Sequence, residues 1–164
     1  MIHRLYDDDS RAFMLLRGEI NQGIYTFAHD AKGANKEEEN EYVSINLKGG
    51  KSKIKTDLIN GELHIFQDII INCALGEHTP EHSILSEDEV KYLETHIGEE
   101  IKKDLNHTLY ILQVELQNDN IGYGKYVKAN HPEYYDSEAW NEQFSKAIIH
   151  VNPTVKIRTF GLKP

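Results

Sequence analysis

The fold is decided by the stretch YVSINLKGGKSKIKTDLINGELHIFQDIIINCAL, residues 42–75, in which apolar and polar residues alternate. A period of two sends successive side chains to opposite faces of a β-strand. Two pairs, Gly49-Gly50 and Asn60-Gly61, interrupt the alternation, and both tolerate the positive φ angles of tight hairpin turns. The stretch therefore predicts a three-stranded antiparallel meander with one face in water.

A long amphipathic helix is predicted after this meander. Ser86 and Glu89 have the spacing of a capping box, in which each side chain binds a backbone amide at the helix start. Behind them, apolar residues recur every three or four positions: Val90, Leu93, Ile97, Ile101, Leu105, Leu109, Leu112 and Leu116. This period predicts one helix of about 30 residues, roughly 45 Å long, which ends near residues 118–120.

Shorter elements are predicted on both sides. Upstream, residues 7–17 are expected to form a helix that ends at Gly18, and residues 19–28 a strand. Downstream, two helical segments are expected near 122–130 and 133–147.

Pro132 is expected at the start of the second of these helical segments. The last strand carries Val151, Val155 and Ile157 on one face, and Pro153 restricts it to a sheet edge or a bulge. The order of strands, helices and a returning strand predicts an α+β fold. Its antiparallel sheet, the meander plus the C-terminal strand, is packed by one long helix and shorter helices.

Composition limits the classes of function. Hydrophobic residues make up 39% and charged residues 27% of the 164 positions, which is typical of a single globular domain, residues 1–164. No run approaches the roughly 18 apolar residues of a membrane span, and no signal peptide begins the chain, so the chain as given is expected to be soluble. The net charge of −9 argues against nucleic-acid binding.

Catalytic and metal-binding patterns are weak. His78 and His82 are four residues apart, but Pro80 between them opposes a helical pair of zinc ligands. No serine lies in a GxSxG motif, and the single cysteine, Cys73, lies in an apolar strand that predicts burial. We therefore predict no catalytic residues, no metal and no cofactor, and expect that the chain is not an enzyme.

Residues 118–144 are unusually aromatic, with the only tryptophan, four tyrosines and a phenylalanine among Gly, Asn and Pro. Aromatic residues with a polar group favour either half-buried corners of a core or protein interfaces. Both interpretations are open from the residues alone.

The same region carries a family resemblance. The residues that carry it are Asp119, Gly122-Tyr123-Gly124, Tyr126, Lys128, His131-Pro132, Trp140, Phe144, Lys156-Ile157-Arg158-Thr159 and Gly161-Leu162. Their order and spacing resemble the C-terminal domain of the spore germination receptor C-subunit lipoproteins, the Ger(x)C family. The sequence departs from the family pattern at Phe160, which is inserted before Gly161.

The resemblance implies a non-enzymatic domain that works by contacting other germinant receptor subunits, which are integral membrane proteins. It implies a parent protein held by a lipid anchor on the outer face of the inner spore membrane. This chain would then be an excised C-terminal domain with an added Met1, without direct membrane insertion of its own.

Two hypotheses follow for the site. In the first, the binding residues are Tyr123, Tyr126, Tyr135, Lys156 and Arg158, and some of Tyr123, Tyr126, Tyr135 and Lys156 are exposed together. The structural motif beside it comprises Gly122, Gly124, Pro132, Trp140, Phe144 and Gly161, and at least one of Gly122 and Gly124 is expected to have positive φ.

The alternative is a small-molecule-binding or hydrolytic domain. Its pocket would lie between the long helix and the sheet and would be lined by His64, Tyr25 and Tyr110.

Overall fold

The computed structural model describes residues 7–21, 23–29, 41–76 and 86–158, which form a four-stranded sheet with helices on one face. The elements in chain order are α1 (Asp7–Leu16), β1 (Ile24–His29), β2 (Glu41–Ile59), β3 (Glu62–Leu75), α2 (Glu87–Tyr110), α3 (Gly124–Asn130), α4 (Trp140–Lys146) and β4 (Ile148–Ile157). The α+β prediction is confirmed.

The sheet is mixed, which corrects the antiparallel prediction. Its order is β1-β2-β3-β4; the first two pairings are antiparallel, and β3 and β4 run parallel. Strand direction follows from the connection, because the chain leaves β3, passes through the three helices and enters β4 from the end at which β3 began. Since β4 is an edge strand of the described sheet, Pro153 lies where its missing N–H is tolerated, as predicted.

The predicted hairpin at Gly49-Gly50 is wrong, because β2 continues through this pair as one strand of 19 residues. The partner of Leu47 is Cys73 and the partner of Gly49 is Asn72, so Lys48 is the extra residue of a β-bulge. Gly49 has a φ of +116°. A Cβ on Gly50 would lie 2.0 Å from the carbonyl oxygen of Ile70, so this glycine permits the close approach of β2 and β3.

The hairpin at Asn60-Gly61 is confirmed. These residues have φ angles of +53° and +80°, and the flanking Ile59 and Glu62 are cross-strand partners. Positive φ at both central residues is the signature of the turn that matches the twist of two antiparallel strands.

Helix α2 begins with the predicted capping box. Glu89 N donates to Ser86 Oγ (3.3 Å), and Ser86 N donates to a Glu89 carboxylate oxygen (2.7 Å). The apolar stripe is buried as expected at Leu93, Ile97, Ile101, Leu105 and Leu109. One π-helical turn, Ile111–Glu115, extends α2, so the whole helical segment approaches the predicted length.

The predicted helix at 133–147 is wrong in its first half, because only Trp140–Lys146 is helical. Pro132 therefore lies in a series of turns and not at a helix start. Within those turns Glu138 N donates to Asp136 Oδ1 (2.9 Å). Such local bonds between a side chain and the backbone compete with the hydrogen bonds of a helix.

The core lies between the sheet and helices α1 and α2. Its fully buried members include Leu16, Ile45, Ile65, Ile69, Ile71, Ile97, Ile101 and Leu105. Alternate residues of β3, from Leu63 to Cys73, enter this core. Their neighbours, from His64 to Asn72, therefore point to the opposite face of the sheet, which no described helix covers.

Candidate functional site

The carboxylate of Asp119 organises the segment that follows α2. Its Oδ1 accepts hydrogen bonds from the backbone N–H groups of Gly122 (2.8 Å) and Tyr123 (3.0 Å). Its Oδ2 accepts from the N–H of Gly124 (2.8 Å) and from Trp140 Nε1 (2.9 Å). One side chain thus holds the turn before α3 and fixes the position of the only tryptophan.

The two glycines of the Gly-Tyr-Gly element have different reasons to be glycine. Gly122 has a φ of +92°, which confirms the prediction of a positive φ in this pair. A Cβ on Gly124 would lie 2.8 Å from Trp140 Nε1, so at this position the indole leaves no room for a side chain. Gly122 is therefore needed for its backbone conformation and Gly124 for its packing against Trp140.

Tyr123 lies in the core, which corrects its assignment to an exposed binding surface. It is 0% exposed, and its hydroxyl donates to Gln67 Oε1 (2.5 Å). Gln67, also fully buried, donates from Nε2 to the carbonyl of Leu16 (2.7 Å) and to Ser52 Oγ (2.8 Å). Burial raises the pKa of the Tyr123 hydroxyl, so it remains a neutral donor. This network joins α1, β2, β3 and the start of α3.

Trp140 and Phe144 complete an aromatic layer over Tyr123. The ring of Phe144 lies 6.3 Å from those of both Tyr123 and Trp140, and Tyr135 packs 5.4 Å from Trp140. Phe144 is fully buried and Trp140 nearly so. These side chains close one end of the core, and Tyr135 is the most exposed of them.

A smaller surface remains accessible beside this layer; we call Tyr126, Lys128 and Tyr135 the α3 surface. Both tyrosines are half-buried. The Lys125 ammonium lies 5.0 Å from the Tyr126 ring centre, and that of Lys128 lies 6.0 Å from the Tyr135 ring centre. An open groove adjoins this surface, lined by Lys128, Pro132, Glu133, Tyr134, Tyr135 and Asp136.

Lys125 and the groove were not predicted from the sequence. The sequence signal for these contacts was the position of Lys125, next to Tyr126, and of Lys128, in the last turn of α3.

Lys156 and Arg158 lie far from the α3 surface, although both are exposed. The end of α3 is held at Thr56, where His131 Nε2 donates to the carbonyl oxygen (3.1 Å). Thr56 is the partner of Ile65 on β3, whereas Lys156 is the partner of Asn72. Seven residues of β3 separate these levels, which is about 23 Å at roughly 3.3 Å per residue. The predicted residues are thus divided between two places, and Gly161 is outside the described residues.

The residues of the alternative pocket do not converge. Tyr25 is the partner of Ile45 and shares its buried face of the sheet, whereas His64 points to the opposite face. Burial raises the pKa of the Tyr25 hydroxyl. Tyr110 on α2 is 54% exposed. Apolar side chains fill the space between α2 and the sheet, where that pocket was expected.

Several histidines have structural contacts. His107 Nδ1 lies 2.9 Å from Asp9 Oδ1 and links α2 to α1, and the ring of His96 stacks on Tyr92. Within the described ranges, no group of three or more His, Cys, Asp or Glu side chains could hold a metal ion. Among the same residues, no helix is long and apolar enough to cross a lipid bilayer.

Cys73 is a buried core residue, as predicted. Burial raises the pKa of its thiol to about 11, so it remains protonated.

A protein-family model matches nearly the whole chain. The chain belongs to the spore germination B3/GerAC-like family, because the model of that family's C-terminal region matches residues 1–161. The resemblance drawn from the residues after Asp119 is thereby confirmed.

Named relatives agree with this membership. The chain is 24% identical to the spore germination protein GerQC of Bacillus cereus, covering 99% of this chain and 43% of that protein. It is also 24% identical to the spore germination protein YndF of Bacillus subtilis (strain 168), covering 98% of this chain and 39% of that protein. The chain therefore spans less than half the length of these relatives.

A solved structure shares the fold. The crystal structure of the GerBC protein aligns with a TM-score of 0.77 at 21% identity, over 94% of this chain and 46% of that one.

Proposed function

We propose that this chain is the C-terminal domain of a spore germinant receptor C-subunit. In this proposal it acts in germination, without catalysis, by contacting the other receptor subunits, which are integral membrane proteins. The parent protein would be lipid-anchored on the outer face of the inner spore membrane, and this domain would not itself insert into the bilayer. Support comes from the family match over residues 1–161 and from relatives named as spore germination proteins.

The α3 surface is the structural feature that best supports a function in contacting other subunits. Tyr126 and Tyr135 are both half-buried, and each has a lysine ammonium near its ring, Lys125 at 5.0 Å and Lys128 at 6.0 Å from the ring centre. Aromatic anchors bordered by polar groups are typical of the energetically important centres of protein interfaces. The Asp119 cluster fixes the backbone beneath these tyrosines, so little conformational entropy would be lost when a partner binds.

The test is binding of this domain to the purified membrane subunits of its receptor in detergent. We expect the wild-type domain to bind, and the double variant Tyr126→Ala with Lys128→Glu to bind at least about tenfold more weakly, the loss of one strong interface contact. The matched control is Tyr110→Ala with Lys102→Glu, which makes the same chemical changes on exposed positions of α2. All variants are first checked for an unchanged melting temperature.

The outcomes separate the parts of the proposal. Weaker binding by the α3 variant, with normal binding by the control, supports contact through the α3 surface. Equal binding by all three proteins overturns the α3 surface as the contact site. Absence of binding by the wild-type domain overturns the proposed function.

A further inference from the structure

The face of the sheet opposite the helices carries a second unassigned surface, which we call the outer face. It combines a row of lysines on β2 with aromatic and apolar residues on β3 and β4. Its members are Lys51, Lys53, Lys55, Asp57, His64, Phe66, Asp68, Ile70, Asn72, Ile148, His150, Asn152, Thr154 and Lys156. The contacts of α2 with β4 fall on the other face, where Gly98 lies next to Pro153 and Val155. No described helix covers the outer face.

The lysine row is free to meet a partner. Lys51, Lys53 and Lys55 are all exposed and lie opposite Ile70, Asp68 and Phe66 of β3. Alternate residues of a strand repeat about every 6.7 Å, so the three ammonium groups form a regular line.

Within the described part of the chain these lysines form no ion pair. Asp68, the nearest cross-strand carboxylate, instead accepts from Asn152 Nδ2 (3.2 Å).

Aromatic rings occupy the part of the outer face nearest the Asn60-Gly61 hairpin. The ring of Phe66 stacks on that of His150 with centres 4.7 Å apart, and the rings of His150 and His64 are nearly coplanar with centres 5.4 Å apart. A hydrogen bond of 3.1 Å joins His64 Nδ1 and His150 Nε2, so the two imidazoles are fixed relative to each other. Ile148 lies beside His64, and Ile70 lies on the other side of Asp68; the two isoleucines are 38% and 36% exposed. An apolar centre with a charged rim is the usual anatomy of a protein interface.

We infer that the outer face docks a partner protein whose surface carries carboxylates around an apolar centre. This inference rests on the proposed function, and it states the chemistry of the receptor subunit that this face would bind. The argument for an acidic partner is charge complementarity, because four lysines gather on one face of a chain whose net charge is −9. Charges at the rim of an interface steer association and select partners more than they add affinity.

An anionic membrane fits these observations less well than a protein does. Binding to anionic lipid needs about four to eight clustered basic residues, each contributing on the order of 1 kcal/mol. Here Asp57 and Asp68 point from the same face, and the rest of the molecule is acidic.

The experiment measures affinity for the purified receptor subunits at low and at high salt. The test variant is Lys51→Glu, Lys53→Glu and Lys55→Glu together, and a second test variant is Ile70→Ser. The matched control reverses three exposed lysines of α2: Lys91, Lys102 and Lys103. We expect the β2 triple variant to bind about tenfold more weakly and to lose most of the salt dependence. Ile70→Ser should weaken binding with the salt dependence retained, and the α2 control should bind as the wild type does.

Each outcome is decisive. Equal affinity of the wild type and the β2 triple variant overturns this inference and leaves the proposed function intact. Absence of any binding by the wild type overturns the proposed function, and this inference with it. A second measurement uses vesicles of phosphatidylserine and phosphatidylcholine. If the wild type binds these vesicles and only the β2 triple variant fails to bind them, the outer face contacts lipid and the protein partner is refuted.

Discussion

At the scale of single residues, the carboxylate of Asp119 is one acceptor shared by four donors. Three backbone N–H groups and one indole N–H all donate to its carboxylate, and three of these donors belong to the Gly-Tyr-Gly element. Hydrogen bonds to a charged acceptor are stronger than those between neutral groups. Asp119 is therefore the residue on which the geometry beneath the α3 surface depends.

We expect Asp119→Ala to lower the free energy of unfolding by about 3 kcal/mol, because four donors lose their acceptor in a partly buried place. Chemical denaturation measures this loss, and the emission of Trp140, the only tryptophan, reports the local change. The control is Asp136→Ala, whose exposed carboxylate accepts from the N–H of Glu138; it should cost less than about 1 kcal/mol. If Asp119→Ala also lowers the free energy of unfolding by less than about 1 kcal/mol, the hydrogen bonds to Asp119 do not stabilise the fold.

Sequence reasoning identified these residues but not all of their roles. At least one of Gly122 and Gly124 was expected at positive φ, because a glycine just after a helix commonly reverses the chain, and Gly122 has this conformation. Tyr123 was expected at the surface, because a tyrosine between two glycines looks the same whether it is exposed or buried. Its position depends on Gln67, a hydrogen-bond partner 56 residues earlier in the chain, and no local pattern reports such a contact.

At the scale of elements, β2 shows how a glycine pair can be misinterpreted. Buried Ile45 and Leu47 have odd numbers, whereas the half-buried Ile54 and Leu58 beyond the glycines have even numbers. One extra residue in a continuous strand produces this change of parity, which is the definition of a β-bulge. The signal was present in the sequence, but a Gly-Gly pair is also compatible with a tight turn.

The bulge leads to a prediction about two glycines. Gly50→Ala should destabilise the protein by more than about 3 kcal/mol, because the new methyl group meets the backbone carbonyl of Ile70. Gly61→Ala in the true hairpin meets nothing within 4 Å and should cost about 1–2 kcal/mol, from its positive φ alone. Thermal and denaturant unfolding of the two variants gives the comparison. Equal losses would mean that Gly50 also lies in a turn.

Helix α2 was predicted well, because both its cap and its apolar period are local properties. Leu105→Ala should lower the free energy of unfolding by about 2–5 kcal/mol, since Leu105 is fully buried against the sheet. The neighbouring Asn106→Ala, on the exposed side of the same helix, should change it by less than about 0.5 kcal/mol. A loss below about 1 kcal/mol for Leu105→Ala would place the wrong face of α2 in the core.

The direction of β4 lay beyond local prediction. The alternation of Val151, Val155 and Ile157 identifies a strand with one buried face, but it is identical for parallel and antiparallel pairing. The direction depends on how far the three helices carry the chain back along the sheet. Glu94 on α2 holds the last residue of β4 in place, because its carboxylate accepts a hydrogen bond from the backbone N–H of Ile157 (2.8 Å).

At the scale of the whole molecule, the helices and the sheet divide the surface into unlike parts. The α3 surface lies at the hairpin end of the sheet, and Lys156 lies about 23 Å away by strand spacing. The lysine row runs between these levels on the outer face. The aromatic and basic residues were identified from the sequence but were predicted to form one site. They lie in two places, since residues that belong to one family motif need not be close in the fold.

Cys73 provides a test of the molecule as a unit. It lies near the end of the interior strand β3 with no exposed surface, and burial raises the pKa of its thiol to about 11. Only the thiolate reacts with alkylating reagents, so reaction at pH 8 requires opening of the fold. We expect the native protein to be labelled slowly, in proportion to the population of the open state. Leu105→Ala should then raise the rate about 30-fold or more, because each 1.4 kcal/mol of lost stability increases that population tenfold.

The comparison with Asn106→Ala distinguishes global from local opening. If the core of α2 and the sheet opens as one cooperative unit, Asn106→Ala is labelled at the wild-type rate and Leu105→Ala at a rate raised by its measured loss of stability. If Cys73 is labelled at the same rate in Leu105→Ala as in the wild type, β3 opens independently of α2. Labelling of the native protein as fast as an unfolded peptide would contradict burial of β3 altogether, and with it the register that directs Lys51, Lys53 and Lys55 to the outer face.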